Sequence, residues 1–144
     1  MSSERKVDPF AALILVLSII GIIFIAALDF AALDYNGGGT RWSCLSCEYA
    51  TAGDLAAQVL MLILLIIQVV VVLNDLVPNR FIKMDLDKIG MGLAFLTFLL
   101  AIIGISSFGA EYSEFEWWPL ESFYGSIIAG LLNTILFFLK DRNK

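Results

Sequence analysis

Four long apolar runs separated by polar segments dominate the hydrophobic pattern of the chain. They are Phe10–Leu28, Leu55–Leu73, Ile89–Phe108 and Phe123–Leu139, and none of them contains a charged residue. Each is close to the roughly 20 residues that a helix needs to cross a hydrocarbon core. The pattern predicts an all-α fold, a four-helix bundle in a membrane, with residues 1–144 forming a single domain.

The basic residues lie almost entirely on one side of these runs. Lys and Arg close to the ends of membrane spans are retained in the cytoplasm. Eight of the nine fall before the first run, between the second and third, or after the fourth: Arg5, Lys6, Arg80, Lys83, Lys88, Lys140, Arg142 and Lys144. We therefore expect a multi-pass protein of the cell membrane with both termini cytoplasmic.

The outer side is acidic. Its eight carboxylates and the single Arg41 give it a formal charge of about −7 by direct count. Such a surface either keeps the loops in water or attracts cations and basic partners.

Composition narrows the possible functions. The chain is 60% hydrophobic and 16% charged, against about 45–50% and 25% in soluble domains. It has no histidine and two cysteines, which argues against haem and copper sites and against four-thiolate metal sites. The uncharged runs argue against pumps and ion-coupled transporters. We expect no enzymatic activity, cofactor, metal or nucleic acid; the expected partners are membrane lipids and membrane proteins, including further copies of the chain.

Polar and small residues inside the runs predict helix contacts. Gln68 and Asn133 lie five and six residues from the cytoplasmic ends of their runs, or about 8 and 9 Å at 1.5 Å per residue. Buried amides need partners, so we expect these two to face each other. The fourth run also has small residues at i, i+4 spacing, which suit either packing within the bundle or helix-mediated dimerisation. They are Gly125, Ser126, Ala129 and Gly130.

The two outer loops carry aromatic residues. The first runs from about Asp34 to Gly53 and contains glycines at 37–39, which break a preceding helix. The second runs from Gly109 to Glu121. Their aromatic residues suit either a belt at the lipid headgroups or a contact surface, because exposed Trp and Tyr are frequent in binding hot spots. The candidate surface consists of Arg41, Trp42, Tyr112, Phe115, Trp117 and Trp118.

Cys44 and Cys47 lie on the expected outer side, where an oxidising environment allows disulfides. Their spacing fits a bridge across a tight turn, because Cα atoms there can approach to about 5.5 Å. We expect a structural disulfide that positions Trp42 and the start of the second helix and does no redox work. The competing interpretation is a reactive Cys-x-x-Cys pair, which needs a second thiol system to pass electrons onward.

The trio Trp42, Cys44 and Cys47, followed by Asp54–Met61 and Ser122–Asn133, resembles the claudin and peripheral-myelin-protein-like tetraspan superfamily. Its members have four helices, cytoplasmic termini, and a Trp followed by two Cys in a larger first outer loop. The shorter loop here leaves room for a small β-hairpin in place of the family's extracellular sheet. The resemblance implies a non-enzymatic scaffold or adhesion-type protein that acts through its outer loops and lateral self-association.

Two other functions fit parts of the sequence. The segment Cys44-Leu45-Ser46-Cys47-Glu48-Tyr49 resembles the Cys-x-x-Cys-x-Tyr segment of DsbB-type membrane thiol-disulfide oxidoreductases. However, the second outer loop lacks the second cysteine pair of that family. The other alternative is a small accessory subunit of a larger membrane complex, which needs only apolar helices and a docking face.

Overall fold

The structure is a computed structural model that describes residues 8–34, 39–48, 50–77 and 81–142. Its elements are α1 (Pro9–Ala27), β1 (Ala31–Asp34), β2 (Thr40–Ser43), α2 (Ala52–Leu76), α3 (Asp87–Glu111), β3 (Glu116–Pro119) and α4 (Glu121–Arg142). Some residues used in the sequence analysis lie outside the described part of the chain: glycines 37 and 38, Tyr49, Arg5, Lys6, Arg80 and Lys144.

Local sequence explains where two of the helices begin. Asp8 caps α1 by accepting a hydrogen bond from the backbone N–H of Phe10 at 2.9 Å. Pro9 follows in the first turn, where a missing N–H costs nothing. Thr51 caps α2 and accepts from the backbone N–H of Asp54 at 3.1 Å. Helices α2, α3 and α4 extend beyond the predicted runs at both ends, because capping and charged residues continue a helix past its apolar section.

The bundle buries several polar residues within a hydrophobic core and exposes large apolar residues on its outer surface. Ser18, Gln68 and Asn133 are fully buried, whereas Leu13 and Ile103 are 51% and 54% exposed. Extended exposed apolar surface is unfavourable in water and favourable in hydrocarbon. Within the described residues, four helices are long and apolar enough to cross a membrane.

The small residues of α4 allow close packing against α1 and α3. A Cβ atom added to Gly130 would lie 2.7 Å from the backbone nitrogen of Phe98 in α3. One added to Gly125 would overlap the ring of Phe24 in α1. The other two small residues are buried as well: Ser126 and Ala129. In this structure all four therefore lie at contacts within the chain.

Three strands form one antiparallel sheet in the order β2-β1-β3 at one end of the bundle, which we call the sheet end. The β1–β2 pair is a small β-hairpin like the one expected in the first outer loop, but β1 begins at Ala31, before the predicted start of that loop at about Asp34. Strand β3 was not expected in an all-α fold. Its four residues end in Pro119, and a segment this short cannot be recognised as a strand from its sequence. It reaches β1 because Leu120 N–H donates to the Phe30 carbonyl at 2.9 Å and Ser122 N–H donates to the Asp29 carbonyl at 3.1 Å.

Candidate functional site

The strand register divides the sheet into two faces. Ala31 and Leu33 belong to the hydrophobic core around Phe108, so their side chains face the helices. Residues paired across antiparallel strands share a face, and neighbours along a strand alternate. The face toward the helices, the proximal face, therefore consists of Ala31, Leu33, Arg41, Ser43, Trp117 and Pro119. The opposite, distal face consists of Ala32, Asp34, Thr40, Trp42, Glu116 and Trp118.

The distal face carries two tryptophans beside a small residue. Ala32 in β1 pairs with Trp42 in β2 and with Trp118 in β3. Trp42 is 48% exposed and Trp118 is 38% exposed, while Ala32 is fully buried. The two tryptophans stand about 10 Å apart, on strands that are each about 4.8 Å from β1. In this row the small, buried side chain of Ala32 therefore lies between two accessible indole rings.

A second row on the distal face is polar and acidic. Asp34 in β1 pairs with Thr40 in β2 and with Glu116 in β3. Like charges directly opposite each other on neighbouring strands destabilise a sheet. The two carboxylates therefore form a negative edge beside the tryptophans, which suits a cationic group.

The other predicted surface residues pack against the bundle. Trp117, on the proximal face, meets Phe108 edge-on with ring centroids 6.2 Å apart. The Tyr112 ring lies 4.9 Å from that of Phe108, and the Phe115 ring lies 6.3 Å from that of Tyr112. Arg41, also on the proximal face, donates to a backbone carbonyl of its own strand at 3.2 Å. The predicted surface is therefore divided between the two faces: Trp42 and Trp118 lie on the distal face, and Trp117 lies on the proximal face although its side chain remains 37% exposed.

A buried polar network fixes β2 to α2. Asp54 is fully buried and accepts hydrogen bonds from the hydroxyls of Ser43 and Thr51. Gln58, one turn further along α2, donates through Nε2 to Ser43 Oγ at 3.2 Å and to Asp54 Oδ2 at 3.4 Å. Because Ser43 directly follows Trp42, this network holds the strand that presents the first tryptophan. The sequence analysis missed it, although the Thr-x-x-Asp spacing at the start of α2 is a capping signal.

The segment after β2 is a tight turn closed by a disulfide. Cys44 and Cys47 are bonded, with their Cα atoms 4.9 Å apart, which confirms the predicted bridge. Cys47 N–H also donates to the Cys44 carbonyl at 3.2 Å. One carboxylate oxygen of Asp29 and the two sulfurs all lie within 4.8 Å of one another. Burial raises the pKa of the Asp29 carboxyl, and the nearby Glu121 carboxylate raises it further.

One polar residue from each helix meets in a buried layer of the bundle: Ser18, Gln68, Thr97 and Asn133. Asn133 Nδ2 donates to Gln68 Oε1 and to Ser18 Oγ, each at 2.9 Å. Gln68 Nε2 donates to Thr97 Oγ1 at 3.0 Å. The predicted contact between the two amides is present, and the network extends to all four helices.

At the opposite end of the bundle, Lys140 of α4 is buried among carboxylates. Its Nζ lies 2.5 Å from Asp75 Oδ2, 2.6 Å from Asp87 Oδ1 and 3.8 Å from Asp8 Oδ2. These three residues belong to the end of α2, the start of α3 and the cap of α1. Lys140 therefore links all four helices. The sequence analysis missed this cluster, although all four residues lie just beyond the apolar runs at the same predicted end.

Two groups of described residues have the spacing of metal ligands. In the first, Asp29 with the two cysteines, the sulfurs are bonded to each other and so are not thiolate ligands. The second contains Asp85, Asp87 and Asp141 at the opposite end, and Asp87 is already in contact with Lys140.

The sheet end brings together exposed aromatic rings, carboxylates and the disulfide, whereas the opposite end is a closed ionic cluster. The sheet end is accordingly the candidate functional site. No protein-family model matches the chain, and neither a curated protein nor a solved structure matches it.

Proposed function

We propose that the chain is an integral membrane protein whose four helices span the bilayer, with the sheet end outside the cell and both termini in the cytoplasm. The apolar outer surface of the bundle supports insertion, because it exposes large aliphatic and aromatic side chains along all four helices. Basic residues support the orientation, since Lys and Arg favour the cytoplasmic side. The described basic residues at the end opposite the sheet lie after α2, in the first turn of α3 and in the last turn of α4: Lys83, Lys88, Lys140 and Arg142.

We further propose that the protein is a non-enzymatic scaffold or adhesion-type protein that acts through the distal face. One observation carries this proposal: both outer loops join in one sheet, which turns Trp42 and Trp118 away from the helices. The polar network beneath β2 holds its strand in position, so binding costs less conformational freedom than it would for a loose loop. A belt at the lipid headgroups would instead need these rings at the sides of the bundle.

The proposed partner is a segment of another membrane protein that carries Lys or Arg. A cationic side chain over the face of a Trp ring gains a cation–π interaction. It would also relieve the repulsion between Asp34 and Glu116, which pair with each other across β1 and β3. The resemblance to the claudin-like superfamily points to the same mode of action through the outer loops.

The test is photo-crosslinking in native membranes, with a photoreactive amino acid at Thr40, beside Trp42 on the distal face. We expect a crosslink to a protein segment that contains Lys or Arg, identified by mass spectrometry. The double substitution Trp42→Ala/Trp118→Ala should lower its yield at least about tenfold, because truncating two aromatic contacts at a hot spot removes about 1.4 kcal/mol or more. The matched control is Phe138→Ala, which removes an equally exposed aromatic ring from α4.

The identity of the crosslinked molecule separates the candidate functions. A second copy of the chain would indicate lateral self-association, and a stoichiometric complex with other proteins would indicate the accessory-subunit role. Crosslinks to lipid alone, or a yield that survives the double substitution, would contradict a protein-binding distal face.

A further inference from the structure

We propose that Cys44 and Cys47 form a site of thiol–disulfide exchange with a dithiol of a partner protein, and that Asp29 gives and takes the proton at their sulfurs. The exchange uses one disulfide for each partner dithiol and involves no turnover, so it is compatible with a non-enzymatic protein, and it is separate from partner binding by the distal face. It departs from the expectation of a purely structural bridge, because the sequence does not reveal that Asp29 lies beside the two cysteines.

The geometry places a proton-carrying group close to both sulfurs. One carboxylate oxygen of Asp29 and the two sulfurs lie within 4.8 Å of one another. Asp29 is held there by its backbone, because its carbonyl accepts a hydrogen bond from Ser122 N–H at 3.1 Å. A purely structural disulfide gains nothing from a neighbouring carboxyl group, and partial burial of that group costs free energy. All three side chains remain partly exposed, so a partner thiol can reach them.

In the direction that reduces the disulfide, two exchange steps transfer two electrons from the partner dithiol to the Cys44–Cys47 bridge. A thiolate of the partner attacks one sulfur of the bridge, a mixed disulfide forms, and the other cysteine leaves as a thiolate. The Asp29 carboxyl donates its proton to that leaving sulfur, and the resulting carboxylate takes up the proton that the first partner thiol released when it became a thiolate. The second partner thiol then loses its proton and attacks the mixed disulfide, which releases the remaining cysteine; this sulfur takes up the second proton. The partner dithiol has lost two electrons and two protons, and the Cys44–Cys47 pair has gained them.

The environment of Asp29 suits a proton donor. Burial raises the pKa of this carboxyl above its ordinary value of 3.8, and the Glu121 carboxylate at the start of α4 raises it further. The groups that face it from the neighbouring turn are the two sulfurs, which carry no charge in the disulfide. Asp29 therefore keeps its proton at a higher pH than an ordinary surface carboxyl group. In the reverse direction the same carboxylate accepts a proton from an attacking cysteine thiol.

The test compares disulfide reduction by dithiothreitol in the full-length wild type and the Asp29→Asn variant, in detergent with a chelator, across a range of pH. Trapping the free thiols with a maleimide polymer gives the rate. The ionisation of dithiothreitol affects both proteins equally, so it cancels in their ratio. At acidic pH we expect the wild type to react about tenfold faster than Asp29→Asn. This rate ratio is smaller than is usual for general acid catalysis, because a thiolate is a good leaving group even without a proton. The ratio should fall toward one as the pH rises through the pKa of Asp29.

Two controls separate proton transfer from a general effect of charge. Glu48→Gln removes an exposed carboxylate next to Cys47 and should leave the rate within about twofold of wild type, as expected for a screened surface charge. Asp29→Glu should restore most of the pH-dependent advantage, because it keeps a carboxyl group. Equal rates for the wild type and Asp29→Asn at every pH, or an equal loss in Glu48→Gln, would overturn the proposal.

A second measurement needs no variant. The wild-type rate, divided by that of oxidised glutathione under the same conditions, should rise as the pH falls, and a flat ratio would also overturn the proposal. Reduction by dithiothreitol needs no partner protein, so a failed crosslink from the distal face leaves this test unaffected, and an unaltered rate in Asp29→Asn leaves the crosslinking result unaffected. Each proposal can therefore fail while the other stands.

Discussion

The two ends of the bundle stabilise buried charge by different interactions. At the opposite end, the ammonium group of Lys140 meets carboxylates from the other three helices within 3.8 Å. At the sheet end, the buried Asp54 carboxylate is held by two hydroxyl groups and an amide, all from β2 or the start of α2. The first arrangement connects helices, and the second positions a single strand.

This difference assigns different tasks to the two ends. A buried ion pair is costly to break, so the Lys140 cluster fixes the relative positions of the helices. The network around Asp54 instead supports β2 and leaves the Trp42 ring accessible. We therefore expect substitutions at the opposite end to affect stability, and substitutions on the distal face to affect binding.

The largest expected effect on stability comes from Lys140→Met. This change leaves the buried carboxylates of Asp75 and Asp87 without the ammonium group that they contact. Removing one partner of a buried ion pair costs about 3–5 kcal/mol. Unfolding by sodium dodecyl sulfate in mixed micelles, followed by circular dichroism, measures the loss.

The matched control for this substitution is Lys88→Met, which removes an exposed charge from the same end of the bundle. It should change the free energy of unfolding by less than about 0.5 kcal/mol. If the two lysine variants lose the same stability, the ionic cluster does not hold the helices together and the contrast between the two ends fails.

A smaller effect is expected from Gly130→Ala, in the contact between α3 and α4. The new Cβ would lie 2.7 Å from the backbone nitrogen of Phe98, so the two helices must move apart. Overpacking of this kind costs about 1–3 kcal/mol. Gly92→Ala is the control, because nothing lies within 4 Å of its added Cβ and the gain in helix propensity is up to about 1 kcal/mol. Changes of the same sign in the two variants would contradict the described helix packing.

A smaller effect again is expected from the polar layer between the two ends. Gln68→Leu and Asn133→Leu, alone and together, form a double-mutant cycle across the 2.9 Å hydrogen bond. Measured couplings of this kind inside membranes average about 0.6 kcal/mol and reach about 1.7 kcal/mol. Thermal unfolding of the four proteins gives the coupling. A value indistinguishable from zero would mean that the amides do not interact, and a value above that of the Lys140 cluster would reverse the ranking.

The features that the sequence predicts depend on local patterns, whereas those that it does not predict depend on contacts between separate segments. Apolar runs predict helices because the pattern is local, and the depths of Gln68 and Asn133 predict their contact because both are counted from helix ends. The pairing of β3 with β1 depends on contacts between segments more than 80 residues apart, which no local pattern encodes. The approach of Asp29 to the disulfide follows from the β1–β2 pairing, which sets Ala31 opposite Ser43, and the sequence pattern does not reveal this register.

The smallest expected effect is the pH dependence that Asp29 gives to the sheet end. Its pKa is raised in the folded protein, first by burial and then by Glu121, so the folded state binds a proton more tightly than the unfolded state. The stability contributed by this linkage is fully present below the ordinary pKa of 3.8 and is lost as the pH rises through the higher folded value. Asp29→Asn should therefore raise the melting temperature at neutral pH and lose this advantage in acid. The matched control is the exposed Glu114→Gln, changed in the same way and melted over the same pH series. An advantage for Asp29→Asn that grows toward acid would mean that the carboxylate form is the one stabilised beside the disulfide, which would also remove its role as a proton donor.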